Sequence, residues 1–275
     1  MAESVTTGPV VLLEMAGPVA TITLNRPRAR NAISSELLVR LGEAMAAVEA
    51  SGEVCAAILT GADPAFCAGV DLKELGRGTS VLRSAPSASH SPWPPVSKPV
   101  IAAVNGPAVT GGLELVLNCD IVICSERAAF ADTHARVGVL PGWGLSVLLP
   151  LAVGRFRARQ MSFTGDFLSA GEALTAGLVS EVVPHADLLG RAREIAGAIA
   201  GNDARAVRAL LASYRRVEAE VVAGGFAAEE QAARAWGGSG LDLEETGRRR
   251  AAVTERGRSQ AAGQRITRPP SVHST

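Results

Sequence analysis

Apolar and polar residues alternate with changing period along the chain, and each period predicts an element. Residues 10–15 (VVLLEM) and 19–24 (VATITL) are short apolar runs separated by Ala16, Gly17 and Pro18, which predicts a strand, a tight turn and a second strand. Leu37, Leu38, Leu41, Met45 and Val48 then recur at helical spacing as far as Gly52, with Ser34 or Ser35 placed to cap the helix and Glu36 in its first turn. Residues 56–60 make a short buried strand stopped by Gly61. A looser second pass follows, with a strand at 100–104, a helix start in 111–118 and a strand at 121–124. Such alternation predicts an α/β core.

Two stretches break the pattern. Residues 76–99 (GRGTSVLRSAPSASHSPWPPVSKP) are rich in Ser and Pro and lack periodic apolar positions, as expected of a mobile surface loop or lid. Beyond Val183, helical patterns at 188–199 and 204–222 follow one another with no strand between them. The expected organisation is therefore a core over 1–200, a helical region over 201–257 and a frayed tail over 258–275.

Composition narrows the function. With 47% hydrophobic and 20% charged residues, the 275-residue chain reads as a globular soluble protein, one main core with a smaller appendage. Its formal net charge is zero, so no overall field favours nucleic acid or an anionic membrane, and an anionic ligand must meet a local basic patch. Cys55, Cys67, Cys119 and Cys124 form no CxxC pair, and they read as reduced thiols of a cytoplasmic protein. The N-terminus lacks the basic-then-apolar pattern of a signal peptide, and the longest apolar stretch, 139–153, is interrupted by Pro141, Gly142, Gly144 and Pro150. The four histidines have no metal-ligand spacing, and Gly142-Trp143-Gly144 lacks the third glycine and acidic partner of a dinucleotide fingerprint.

Candidate chemistry lies in two glycine-containing segments, AFCAGVDLK (65–73) and NGPAVTGGLE (105–114), each at the end of a strand and ahead of a helical pattern. Glycine there lets a ligand approach the backbone, and a helix start leaves N–H donors unpaired. Two such ends facing one another would form an oxyanion hole.

The order AFCAGVDL, then VNGPAVTGGLEL, CDI and FAD, resembles the crotonase (enoyl-CoA hydratase/isomerase) family. LNRPRARNAI near the start and TGDFLSAGEALTAGLVSEVV later look like segments of the same family, and the similarity runs from about residue 10 to 184. The resemblance implies a spiral of repeated strand, strand, helix turns with a C-terminal helical part that assembles trimers or dimers of trimers. It also implies an acyl-CoA thioester substrate, and no cofactor beyond the coenzyme A that the substrate carries. By the same resemblance the oxyanion donors fall on the N–H groups of Val70 and Gly111, and the first catalytic acid on Glu114. Coenzyme A contacts fall on Arg28, Ala29, Arg30, Ala68, Asp71, Leu72 and Lys73, with Arg26 in the same basic cluster and the Ala29 and Ala68 carbonyls toward the adenine.

One position departs from the family. Where its hydratases carry a second glutamate, this chain has His134, whose neutral imidazole offers one donor and one acceptor. It can hold a water with Glu114, move a proton, or only fill the pocket wall. Asp132, two residues earlier, is placed either to orient the imidazole or to cap a helix. The leading expectation is hydration of a 2-enoyl-CoA. Isomerisation or other enolate chemistry, such as a lyase or decarboxylase reaction, and passive acyl-CoA binding remain alternatives.

Overall fold

A computed structural model of the chain describes residues 8–71, 74, 91–238 and 249. Strands β1 (Val11–Ala16) and β2 (Val19–Leu24) pair antiparallel around Gly17, which takes φ +55°. β2 then pairs in parallel with β3 (Ala56–Gly61), and the sheet continues through β4 (Val100–Val104). The two-residue β5 (Ala108–Val109) leaves this sheet, β6 (Ile121–Ser125) returns to it, and β7 (Ala129–Ala131) and β8 (Leu168–Ser169) leave it again. β9 (Glu181–Val183) closes the larger sheet. The result is a six-stranded sheet ordered β1-β2-β3-β4-β6-β9 and a small sheet ordered β5-β7-β8. Every residue of β3 and β4 is buried, because parallel strands are covered on both faces.

Helix α1 (Ser35–Ala50) covers one face, burying Leu37, Leu38, Leu41, Met45 and Val48. Each large side chain so buried contributes about 1.5–3 kcal/mol. Its cap is Ser34, whose Oγ accepts the Leu37 N–H at 3.1 Å. Among the described residues the other α-helices with both ends defined are α2 (Gly111–Leu117), α3 (His134–Val137), α4 (Leu145–Thr164), α5 (Ala170–Ala176), α6 (Leu188–Ala200), α7 (Ala204–Val221) and α8 (Gly225–Gly238). Of these, α6 lays Leu188, Ala192 and Ala196, spaced four apart, over Ile58, Ile101 and Ile123 on the opposite face of the sheet. After α6 the packing changes, and α7 buries none of its residues.

The expectation of a loose loop over 76–99 is corrected in its second half. Trp93, Val96 and Lys98 are buried, and the Lys98 ammonium donates to the carbonyls of Val48 and Ser51 at the end of α1. A cation there satisfies carbonyls that the helix leaves unpaired. Residues 76–90 and the expected tail over 258–275 lie outside the described residues.

Candidate active site

Two turns meet at the ends of β3 and β4. Cys67 N–H donates to Pro107 O at 3.1 Å and Val109 N–H to Cys67 O at 2.9 Å, a parallel bridge that lays 65–69 along 106–110. On its other side the first turn pairs with Ile33, whose N–H reaches Gly69 O and whose carbonyl accepts from Asp71 N, both at 2.8 Å. In such a bridge the residue between the two contacts, Val70, turns its own N–H away from Ile33. Gly111 opens α2, so its N–H has no acceptor within the helix. The two residues adjoin: a Cβ built on Gly111 would stand 3.4 Å from Val70 Cγ2, and one on Gly69 would stand 3.7 Å from Gly111 N. Glycine is required at 69, which takes φ +91°, and at 112, where a Cβ would fall 2.2 Å from Cys67 O. Burial pushes the Cys67 thiol up to about 12, so it is a packing group here and no nucleophile.

Thr110, just before Gly111, takes φ +56°, a conformation that costs a non-glycine residue about 1–3 kcal/mol. Its N–H donates to Ala131 O at 2.8 Å, and its hydroxyl meets that of Thr133 at 2.5 Å. These contacts tie the start of α2 to the segment that carries Asp132 and His134.

Glu114, 2% exposed, faces that segment from α2. Its Oε1 accepts the N–H groups of Gly142 and Trp143 at 3.1 and 2.7 Å, and its Oε2 lies 3.5 Å from His134 Nε2. The other ring nitrogen, Nδ1, lies 2.6 Å from Asp132 Oδ1, which also accepts the His134 backbone N–H at 3.1 Å. Of the two roles open to it, Asp132 takes the first, fixing the imidazole and the backbone N–H of the same residue, while the N-cap position of α3 falls on Thr133. Burial alone would discharge this histidine, but the hydrogen bonds and negative charges of Asp132 and Glu114 outweigh it and push its pKa up to about 9. The imidazole expected to be neutral is therefore a cation at pH 7, with Nδ1–H toward Asp132 and Nε2–H toward Glu114. Burial raises the Asp132 carboxyl, yet hydrogen bonds from His134 and Ser162 hold it below the usual carboxylate range.

The 24–33 segment backs onto the first turn. Ala68 N–H donates to Arg30 O at 3.0 Å, so Arg28, Arg30 and Ala68, all exposed, lie on one surface with the half-buried Ala29. The Ala29 carbonyl accepts from Ala32 N at 3.1 Å. Arg26 is spent within the chain, pairing with Asp71 at 2.9 Å and donating to Ala32 O. Asp71 is accordingly a strut for the first turn. Leu72 and Lys73 lie outside the described residues.

The periodicity of the sequence did not single out Glu229, on α8. It is 8% exposed and accepts the N–H groups of Gly144 and Ser146 at 2.6 and 2.5 Å. Its signal was a pair of adjacent acidic residues, Glu229 and Glu230, in a helix of mostly small ones. Among the described residues no three His, Cys, Asp or Glu side chains are grouped to hold a metal ion, and no helix is long and apolar enough to cross a membrane.

Comparison with known proteins agrees with this geometry. The sequence profile described as enoyl-CoA hydratase/isomerase matches residues 14–237. The short-chain-enoyl-CoA hydratase of Clostridium acetobutylicum is 39% identical over 211 residues, which are 72% of this chain and 78% of that protein. The crystal structure of an enoyl-CoA hydratase from Mycobacterium smegmatis superposes with a TM-score of 0.78 at 54% identity, covering 85% of this chain and all of that one. A monofunctional enoyl-CoA isomerase from M. smegmatis superposes at 0.67 with 33% identity, covering 77% and 94%. With Glu114 beside two adjoining glycine turns, and a profile match across most of its length, the chain belongs to the enoyl-CoA hydratase/isomerase family.

Proposed function

We propose that this protein adds water reversibly to the double bond of a 2-enoyl-CoA, with an imidazolium in place of the usual second carboxylic acid. The observation that carries this reading is the buried contact between Glu114 Oε2 and His134 Nε2, at 3.5 Å. One partner is an anion able to take a proton and the other a cation able to give one. The Val70 and Gly111 N–H groups hold the thioester oxygen, and each donor aimed at the developing negative charge is worth about 2.7–4 kcal/mol. Glu114 takes a proton from water as its oxygen attacks the β-carbon, and the π electrons move onto the thioester oxygen as an enolate. His134 Nε2–H then protonates the α-carbon while the carbonyl re-forms. Glu114 returns its proton to His134 across their direct contact, which restores both groups. The two amides and the acid–base pair supply what the addition needs, so activity is expected to survive dialysis against EDTA.

Coenzyme A lies, on this reading, along the surface of Arg28, Ala29, Arg30 and Ala68, with Lys73 near its phosphates. Four free cysteines support a reducing cytoplasm as the compartment. Self-association, as a trimer or a pair of trimers, is supported by α7, whose Leu210, Tyr214 and Val217 are exposed. The test of function is spectrophotometric: crotonyl-CoA and longer 2-enoyl-CoA thioesters should lose their conjugated absorbance on mixing. A shifted double bond without hydration would establish isomerisation instead, the activity in the name of one structural relative. Binding with no new thioester by mass spectrometry would reduce the protein to a carrier.

A further inference from the structure

The last described helix reaches the site at three places. Phe226, Glu229 and Trp236 stand three and seven residues apart, a spacing that puts them on one face of α8. The Phe226 ring packs on Gly144, where a Cβ would meet Phe226 Cε1 at 2.5 Å. Glu229 accepts the N–H groups of Gly144 and Ser146. Trp236 Nε1–H donates at 2.9 Å to the carbonyl of Gly138, the residue that ends the short His134 helix.

The turn from Gly142 to Ser146 therefore points its amides at two carboxylates at once. Gly142 and Trp143 serve Glu114, and Gly144 and Ser146 serve Glu229. These amides lie within five consecutive residues, so the direction of the first pair depends on what anchors the second. Asn118 adds a further tie, its side-chain amide donating to Glu114 O and Trp143 O at 2.9 Å each. Burial and the charge of Glu114 push the Glu229 carboxyl above its usual range, while Ser146 and Gly144 pull it back. Glu229 is more than a cap for α4, because its acceptor oxygens hold the backbone that aims the reacting carboxylate.

We propose that Glu229 is a positioning residue of the reaction: from α8 it locks the 142–146 turn so that Glu114 presents Oε2 to His134. This rests on the acid–base pair proposed above and adds a part of the chain far from it in sequence. Trp236 braces the His134 side in the same way, so α8 spans both halves of the pair.

The decisive comparison is Glu229→Gln against wild type in the full chain. The amide of glutamine keeps the shape but sets a donor against one of the two N–H groups. Misplacement of a reacting group by about 1 Å can cost as much as about a hundredfold. We expect kcat to fall at least about tenfold, with KM for the enoyl-CoA changed less than about threefold. Formate should restore part of kcat in Glu229→Ala by re-entering the vacated carboxylate position. Trp236→Phe, which keeps a ring but loses the N–H on a partly exposed side chain, should lower kcat by a smaller factor. Unchanged kcat in Glu229→Gln, or a loss that formate does not relieve in Glu229→Ala, overturns the proposal. If Glu229→Gln does not fold, an unaltered kcat in Trp236→Phe overturns the bracing. Hydrogen exchange of the 142–146 amides needs no turnover and separates the two readings. Fast exchange in Glu229→Gln with slow exchange in wild type supports the lock even if wild type hydrates nothing, and equal exchange sinks it.

Discussion

Helices α7 and α8 are neighbours in sequence, both follow the core, and both show an apolar stripe, yet they meet opposite fates. α7 keeps Leu210 60% exposed and Tyr214 68% exposed, and among the described residues it is tied down by Arg215, which donates to Val96 O and pairs with Asp120 at 3.0 Å. α8 turns Phe226 and Glu229 onto the turn whose amides hold Glu114, and Trp236 onto the end of the short helix that carries His134. The difference teaches that an amphipathic period announces a face to be covered and is silent about what covers it. Reading both helices as one association region merged a surface that faces outward with a strap that faces the chemistry.

Perturbations sort along that contrast, the largest at the pair which α8 serves. Glu114→Gln removes the group that accepts the proton of water, and turnover is expected to fall by about 10²–10⁴-fold, read as the lost decay of enoyl thioester absorbance. His134→Asn should cost about a hundredfold or more and should also remove the alkaline limb of the pH–rate profile. In wild type that limb should have its midpoint near 9, where the imidazolium of the free enzyme loses its proton. Stability should follow the same group. A histidine whose pKa is raised on folding contributes stability that is complete below its unfolded value of about 6.5 and lost as pH rises through about 9. The stability difference between wild type and His134→Asn, from urea titrations, should therefore shrink between those pH values.

On the α7 side the readout changes. Leu210→Asp combined with Val217→Asp should lower the assembly state by light scattering while leaving kcat per chain within about twofold, because neither residue approaches Glu114. A large loss of kcat in that variant would erase the contrast between the helices. Smallest of all, Arg215→Met breaks a half-exposed ion pair and should cost no more than about 1 kcal/mol in thermal unfolding.

Much of the fold was legible because its signals are local. Gly17 in the first hairpin, Ser34 as the cap of α1 and the unbroken apolar runs of β3 and β4 each announce themselves within a few residues. The two glycine turns and Glu114 were legible through a family pattern rather than through periodicity. What stayed hidden spans long stretches of chain. Glu229 meets its amides about 85 residues away, and the 142–146 turn that joins it to Glu114 read as a break in an apolar run and a failed dinucleotide fingerprint, with nothing local to mark its amides as donors to two carboxylates. Lys98 looked like loop until its burial against α1, about 50 residues earlier, gave it a place. The charge on His134 was hidden for another reason. A lone histidine reads as neutral, and only the convergence of Asp132 and Glu114 on the buried ring raises its pKa enough to keep it charged.

The hydrogen bond from His134 to Asp132, between residues two apart, also limits how this chain can change. Placing glutamate at 134 alone would crowd three buried carboxylates together and take from Asp132 its imidazole donor, leaving it only the backbone N–H of residue 134 and the Ser162 side chain. The imidazole and the aspartate are therefore coupled, and a two-glutamate site in this chain is better tolerated when position 132 changes together with position 134.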